Sequence, residues 1–114
     1  MLNPKPGEIW LVRFPFSDLT STKVRPALVL ATHRQDVIIL GIFSKIPPNT
    51  SEKTWVLIHD RQNDFTQTGL AKTSILRAEK IATSHQSTFQ RQLGIIPNAL
   101  QSKITTALQQ ALNL

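Results

Sequence analysis

The chain contains no cysteine, which excludes disulfides and thiolate metal sites. Its three histidines, His33, His59 and His85, are scattered without ligand spacing. No apolar run approaches the length of a membrane-spanning helix. Residues 1–6 lack the apolar block of a signal peptide. Acidic residues are scarce, seven Asp plus Glu against thirteen Lys plus Arg, leaving a formal net charge of +6. These absences predict a cytoplasmic protein without metal, cofactor or membrane. The basic excess suits a polyanionic partner: nucleic acid, an acidic protein segment or anionic lipid. The cations are spread along the chain, so only folding can gather them; ordinary solubility charge gives the same count.

With 114 residues, 40% of them hydrophobic, one domain over 1–114 with a real core is expected. Residues 8–14 alternate, Trp10, Val12 and Phe14 against Ile9 and Leu11, and read as a strand. Pro15 ends it, and 16–24 is a polar loop. Two β-rich runs, 27–31 and 37–43, flank a hairpin loop at 32–36. A second exposed loop, 44–51, precedes a strand at 54–59. Residues 60–68 read as irregular, Gly69 as a turn, 73–83 as a strand and 90–96 as a last one. In that last strand Gly94 marks a bulge or a close approach. Leu100, Ile104, Ala107, Leu108, Ala111 and Leu112 then share one face of a helix of about four turns. Asn98 is its expected N-cap, in a capping box with Gln101. The pattern predicts a mainly β domain: a small curled sheet or barrel closed on one side by the C-terminal helix.

Few residues carry chemistry. Arg25 stands before Pro26, a residue that belongs at a strand start or edge. It is thus set at a strand mouth with the buried run behind it, or is simply a solvated loop arginine. Arg77 and Glu79, two apart in a strand, share a face. They can hold a phosphate and take a proton, or form an ordinary surface ion pair. Ser44 follows a strand end, where a hydroxyl can bond a phosphate oxygen or start a turn. It lacks a nucleophile elbow. Lys72 and Ser74 can extend a basic groove. Trp55 reads as core, or as an edge residue that stacks a base.

Gly7-Glu8-Ile9-Trp10-Leu11-Val12 resembles the opening strand of the MazF/PemK family of toxin endoribonucleases. Phe14-Pro15-Phe16, the polar loop and Arg25-Pro26-Ala27-Leu28-Val29-Leu30 are similar to that family's strand-loop-strand signature. Ser44 falls where its members carry Thr or Ser. The stretch from Leu70 through Lys72, Ser74 and Arg77 to Glu79 is similar to the later signature, and Gln92-Leu93-Gly94 fits before the helix. The resemblance implies an SH3-like barrel with a C-terminal helix, working as a homodimer. It implies metal-independent, sequence-preferring cleavage of single-stranded RNA, and silencing by an acidic antitoxin.

Cleavage of that kind uses the 2′-OH as internal nucleophile and yields 2′,3′-cyclic phosphate and 5′-OH ends. It needs a proton acceptor and cations for the phosphorane-like transition state. The resemblance makes Glu79 the base and Arg25 and Arg77 the phosphate-neutralising pair. Arg77 is assigned charge stabilisation rather than proton donation, since guanidinium holds its proton to above about pH 12. Ser44 positions the phosphate, and Lys23, Lys45, Lys72 and Ser74 line the RNA path. Two departures matter: some relatives carry Asp where this chain has Glu79, and some carry a histidine in the first loop, where residues 16–24 have none. Base preference is expected to reside in loops 16–24 and 44–53, and dimer contacts in a sheet edge or the Phe14-Pro15-Phe16 corner. Two alternatives stand beside this reading. One is a non-catalytic toxin of the same fold that poisons DNA gyrase; the other is a basic barrel that binds RNA or DNA without cutting it.

Overall fold

The computed structural model describes residues 3–14 and 23–114. The expected first loop beyond Phe14, the Pro15-Phe16 corner and the base-preference reading of 16–22 lie outside the described residues.

Among the described residues six strands form one antiparallel sheet: β1 (Glu8–Phe14), β2 (Lys23–His33), β3 (Asp36–Phe43), β4 (Trp55–Ile58), β5 (Ser74–His85) and β6 (Phe89–Ile95). Their spatial order is β4-β5-β3-β2-β1-β6. Among the described residues no ladder joins β4 to β6, so of the curled sheet or barrel expected it is the open sheet that forms, with the C-terminal helix on one face.

Alternation gives the sheet two cores. Ile9, Leu28, Leu40, Ile42 and Leu76 project to one face, where they meet Leu100, Ile104 and Ala107. Trp10, Val12, Ala27, Val29, Val37 and Ile39 project to the other and pack with Phe89. Trp10 and Phe89 meet edge to face at 5.8 Å, a favourable aromatic arrangement. In β1, Trp10 and Val12 share one face and Ile9 is buried on the other, as read.

Three details differ from expectation. The β2–β3 hairpin loop is two residues rather than five, because His33 pairs with Asp36 and only Arg34 and Gln35 form the turn. Arg34 adopts φ 59° there, the left-handed backbone that two-residue hairpins require. The helix α1 (Gln101–Leu112) is shorter than read, and Asn98 does not cap it. Asn98–Leu100 form a 3-10 turn, and the N-cap is Leu100, without a side-chain bond. Pro97 and Leu100 are buried and pin this turn to the core, so hydrophobic anchoring replaces the capping box. Leu112 is half exposed and lies off the packed face. Gly94 does mark a close approach: a Cβ there would strike the backbone of Gln67 and Thr68. Gly69, at φ 72°, packs likewise against the Leu93 backbone. Loop 60–68 contains one 3-10 turn, Phe65–Thr68, held by this contact.

No helix among the described residues is long and apolar enough to cross a membrane.

Candidate phosphate cleft

The site arises where two ladders part. The β2–β3 pairing begins at Ala27↔Gly41, so among the described residues 23–26 of β2 pair only with β1. Pro26 lies in that stretch, opposite Leu11. Its missing donor is harmless on the side that β3 has left. Beyond this point β2 and β3 diverge, and their ends frame a hollow of about 320 Å³ lined by Lys23, Arg25, Phe43, Ser44, Lys45 and Arg77.

Phe43 is central to it. The Arg25 guanidinium carbon lies 5.4 Å from the Phe43 ring centre, and that of Arg77 lies 5.5 Å from the same ring. Arg77 also lies 5.1 Å from the Trp55 ring. Two cations that would repel one another are thus gathered against one electron-rich ring. The sequence reading missed Phe43 and gave Trp55 no link to Arg77. The register explains both: continuing the β2–β3 pairing by two residues sets Phe43 opposite Arg25, and Trp55 pairs with Arg77 across β4–β5.

A second hollow, of about 260 Å³, shares Arg25 and Ser44 with the first and continues to Lys72 and Ser74 over Pro26 and Ile42. Ser44 directly follows β3 and is exposed. Ser74 is 4% exposed and donates its hydroxyl proton to the Lys72 carbonyl at 2.9 Å. Its hydroxyl therefore fixes a turn, and Lys72 is the polar group left to meet an anion. The fold brings Arg25, Ser44, Arg77, Lys23, Lys45, Lys72 and Ser74 to one pair of adjoining hollows.

Glu79 sits outside both. A wide irregularity in β5 places it: Leu40 pairs with Ile81 while Gly41 pairs with Arg77, so 78–80 have no partner on β3. Bulges of this kind re-aim side chains. Glu79 is joined to Arg77 by Nε–Oε2 at 2.7 Å. It also accepts from Thr54 Oγ1 at 2.8 Å and from Trp55 Nε1 at 3.2 Å. Partial burial works to raise its pKa. The bonds from Thr54, its own backbone, Arg77 and Trp55 outweigh that and hold the carboxyl below its ordinary value.

Among the described residues no group of three or more His, Asp or Glu side chains is placed to hold a metal.

A sequence profile of PemK-like, MazF-like toxins of type II toxin–antitoxin systems matches residues 5–112. Among curated protein sequences none matches this chain. Several solved structures share its fold. An endoribonuclease in complex with its cognate antitoxin, from a mycobacterial species, superposes with TM-score 0.74 at 24% identity, covering 98% of this chain and 97% of that one. The toxin MazF-mt6 of Mycobacterium tuberculosis gives 0.73 at 20% identity, covering 94% and 97%. The MazE-MazF structure from Deinococcus radiodurans gives 0.69 at 18%, covering 97% and 96%.

Proposed function

Since the chain belongs to the PemK-like, MazF-like toxins of type II toxin–antitoxin systems, we propose that it is a metal-independent endoribonuclease acting on single-stranded RNA in the cytoplasm. The observation that carries this reading is the pair of guanidiniums, Arg25 and Arg77, held on one phenylalanine ring at the wall of a cationic cleft. Structures of similar fold are endoribonucleases by name, one of them bound to its antitoxin.

In this reading a backbone phosphate enters between Arg25 and Arg77. The 2′ oxygen forms a bond to phosphorus, and the bond to the 5′ oxygen breaks with its electron pair on that oxygen. A 2′,3′-cyclic phosphate and a 5′-OH result. The two guanidiniums neutralise the charge that builds on the phosphoryl oxygens, and their planar forks suit that geometry better than ammonium groups. Ser44 donates a hydrogen bond to a phosphate oxygen, and Lys23, Lys45 and Lys72 follow the flanking backbone. The resemblance makes Glu79 the proton acceptor. Its carboxylate already accepts three side-chain bonds, and its pKa is shifted away from the near-neutral value that suits a base. We therefore give it the task of holding Arg77. The 2′ proton then leaves to water in the exposed cleft, and the 5′ oxygen takes one from water.

Two partners complete the proposal. An acidic antitoxin is attracted to the same cations and blocks the cleft by covering them. A second copy of the chain has exposed Leu57, Ile81 and Ile95 available for a homodimer contact.

The test is a long mixed-sequence RNA incubated with the protein in EDTA, with the fragment ends mapped. Cleavage to cyclic-phosphate ends, lost in Arg25→Ala while the protein stays folded, is expected. Intact RNA with wild-type protein overturns the reading; gyrase inhibition in its place favours the non-catalytic toxin.

A further inference from the structure

The contacts that fix Arg77 reach beyond the cleft to β4. The Thr54 hydroxyl donates to Glu79 Oε1 at 2.8 Å, and the Trp55 indole donates to Oε2 at 3.2 Å. That same Oε2 accepts from Arg77 Nε at 2.7 Å. The Trp55 ring lies against the Arg77 guanidinium. Thr54 is itself tied in place, because its carbonyl accepts from the Ala78 N–H at 2.8 Å, between Arg77 and Glu79 in sequence. Neither Thr54, Trp55 nor Glu79 lines the cleft that holds Arg25, Ser44 and Arg77.

We propose that Thr54 and Trp55 are positioning residues for RNA cleavage: they lock Glu79, and Glu79 with the Trp55 ring locks the Arg77 guanidinium in the place where it meets the phosphate. The inference rests on the endoribonuclease reading above.

The physical reason lies in the arginine side chain. It is long, and ordering it costs conformational entropy. A carboxylate two residues away on an exposed strand face is a weak anchor when it is itself free to turn. Here the carboxylate has two further donors, Thr54 just ahead of β4 and Trp55 at its start, which hold it against turning with Arg77. The guanidinium is bonded at Nε and faces an aromatic ring on each of two strands. Its terminal nitrogens remain to meet an anion. A transition-state contact made by a group already in place has little ordering left to do.

A merely structural clasp between β4 and β5 has the same bonds, so the test needs a readout that stability does not move. The charged groups around Glu79 are Arg77 and Lys80 on its own strand, Glu52 and Lys53 in the turn just ahead of Trp55, and, across Phe43, Arg25 and Lys23 of β2 and Lys45 after β3. Glu79 is the carboxylate among them that is bonded to Arg77.

Thr54→Val, Thr54→Ser and Trp55→Phe are made in the full chain. Cleavage of a long mixed-sequence single-stranded RNA in EDTA is followed from about pH 4 to about pH 8, a range that spans carboxylate titration. Thr54→Ser keeps the hydroxyl and is expected to cut like wild type. Thr54→Val is expected to lower kcat about tenfold with KM little changed, the scale of a lost hydrogen bond to a charged group. Its fall-off in acid is expected at higher pH, because a bond that favours ionised Glu79 has gone. Trp55→Phe keeps a ring against Arg77 but no N–H, and is expected to show the same upward shift with a smaller loss of rate. If Thr54→Val does not fold, as judged by its melting transition, Trp55→Phe carries the comparison. Wild-type kcat and wild-type pH profile in the folded variants overturn the inference. A wild-type protein that leaves the RNA intact removes the endoribonuclease reading, and this inference with it.

Discussion

Arg77 and Glu79, two residues apart on β5, are joined at 2.7 Å by a single Nε–Oε2 contact. Only Arg77 reaches the cleft. The pair is asymmetric: one partner faces the substrate space and the other faces Thr54 and Trp55. That asymmetry separates holding from proton transfer. Glutamine at 79 can still accept from Arg77 Nε, though it cannot act as a base. Glu79→Gln is therefore expected to retain cleavage within about tenfold of wild type, the loss reflecting a neutral rather than charge-assisted bond. Glu79→Ala, which frees Arg77, is expected to lose about a hundredfold or more. Single-turnover cleavage rates check this. Equal and complete loss in both variants would return Glu79 to the role of base, which contributes factors of about 10² to 10⁴.

The same carboxylate makes folding sensitive to acid. Its folded pKa lies below the ordinary value of 4.5, so the folded state binds fewer protons than the unfolded chain. Its contribution is present above the unfolded pKa and is lost as pH falls through the folded one. Glu79→Gln has no such proton to take up. Melting temperatures measured from pH 7 down to about pH 3 are expected to fall further in wild type than in Glu79→Gln. Parallel curves would show that the bonds to Glu79 add nothing to the folded state.

Much of this arrangement is legible in the amino-acid sequence. Period-2 alternation located β1 and gave its two faces, and the cleft residues were named from Arg25-Pro26, Ser44 and the Arg77 strand. What could not be read was register. Near the hairpin turn His33 pairs with Asp36, and that pairing, if unbroken, sets Arg25 opposite Ser44. An irregularity between Val29 and Ala31 shifts it by one and sets Phe43 there instead. A second irregularity, between Leu40 and Gly41, frees 78–80 from β3. Bulges depend on how strands twist against their neighbours, and no local residue pattern announces them. The aromatic platform and the Thr54–Glu79 contact both hang on such shifts. The helix start was misread for a related reason: burial of Pro97 and Leu100, a tertiary effect, outweighs the local preference of Asn98 for an N-cap.

The Phe43 ring is in contact with both guanidiniums, at 5.4 and 5.5 Å from its centre. Each such contact contributes about 0.5–1 kcal/mol where partly exposed. Together they amount to about 1–2 kcal/mol, or roughly 5- to 30-fold in rate at 1.4 kcal/mol per tenfold. Phe43→Leu keeps an apolar side chain of similar bulk and removes the ring face. It is expected to lower kcat/KM by about tenfold. In an Arg25→Lys background, where one of the two guanidiniums is already gone, the further loss is expected to be smaller. Independent, multiplying losses in the double variant would show that Phe43 does not act through the arginines.

The cations lining the two hollows, Lys23, Arg25, Lys45, Lys72 and Arg77, have a consequence that binding alone can measure. A cation that neutralises a phosphate of single-stranded nucleic acid releases condensed counterion, and contributes about 0.7 to the slope of log affinity against log salt. Lys45 and Lys72 stand at opposite ends of the path, with Arg25 and Ser44 common to both hollows. Lys45→Ala and Lys72→Ala are each expected to weaken binding to a 2′-O-methylated RNA, which lacks the attacking hydroxyl, and to reduce the salt slope by about 0.7. Lys103 provides the control: it lies on α1 beside a separate groove with Lys53 and Leu57, and Lys103→Ala is expected to leave the slope unchanged. Titrations between about 50 and 200 mM salt are sensitive enough to resolve one phosphate contact. If Lys103→Ala lowers the slope as much as Lys72→Ala does, the RNA runs over the helix and not through the cleft between β2 and β3. The two arginines would then not be the groups that meet the scissile phosphate.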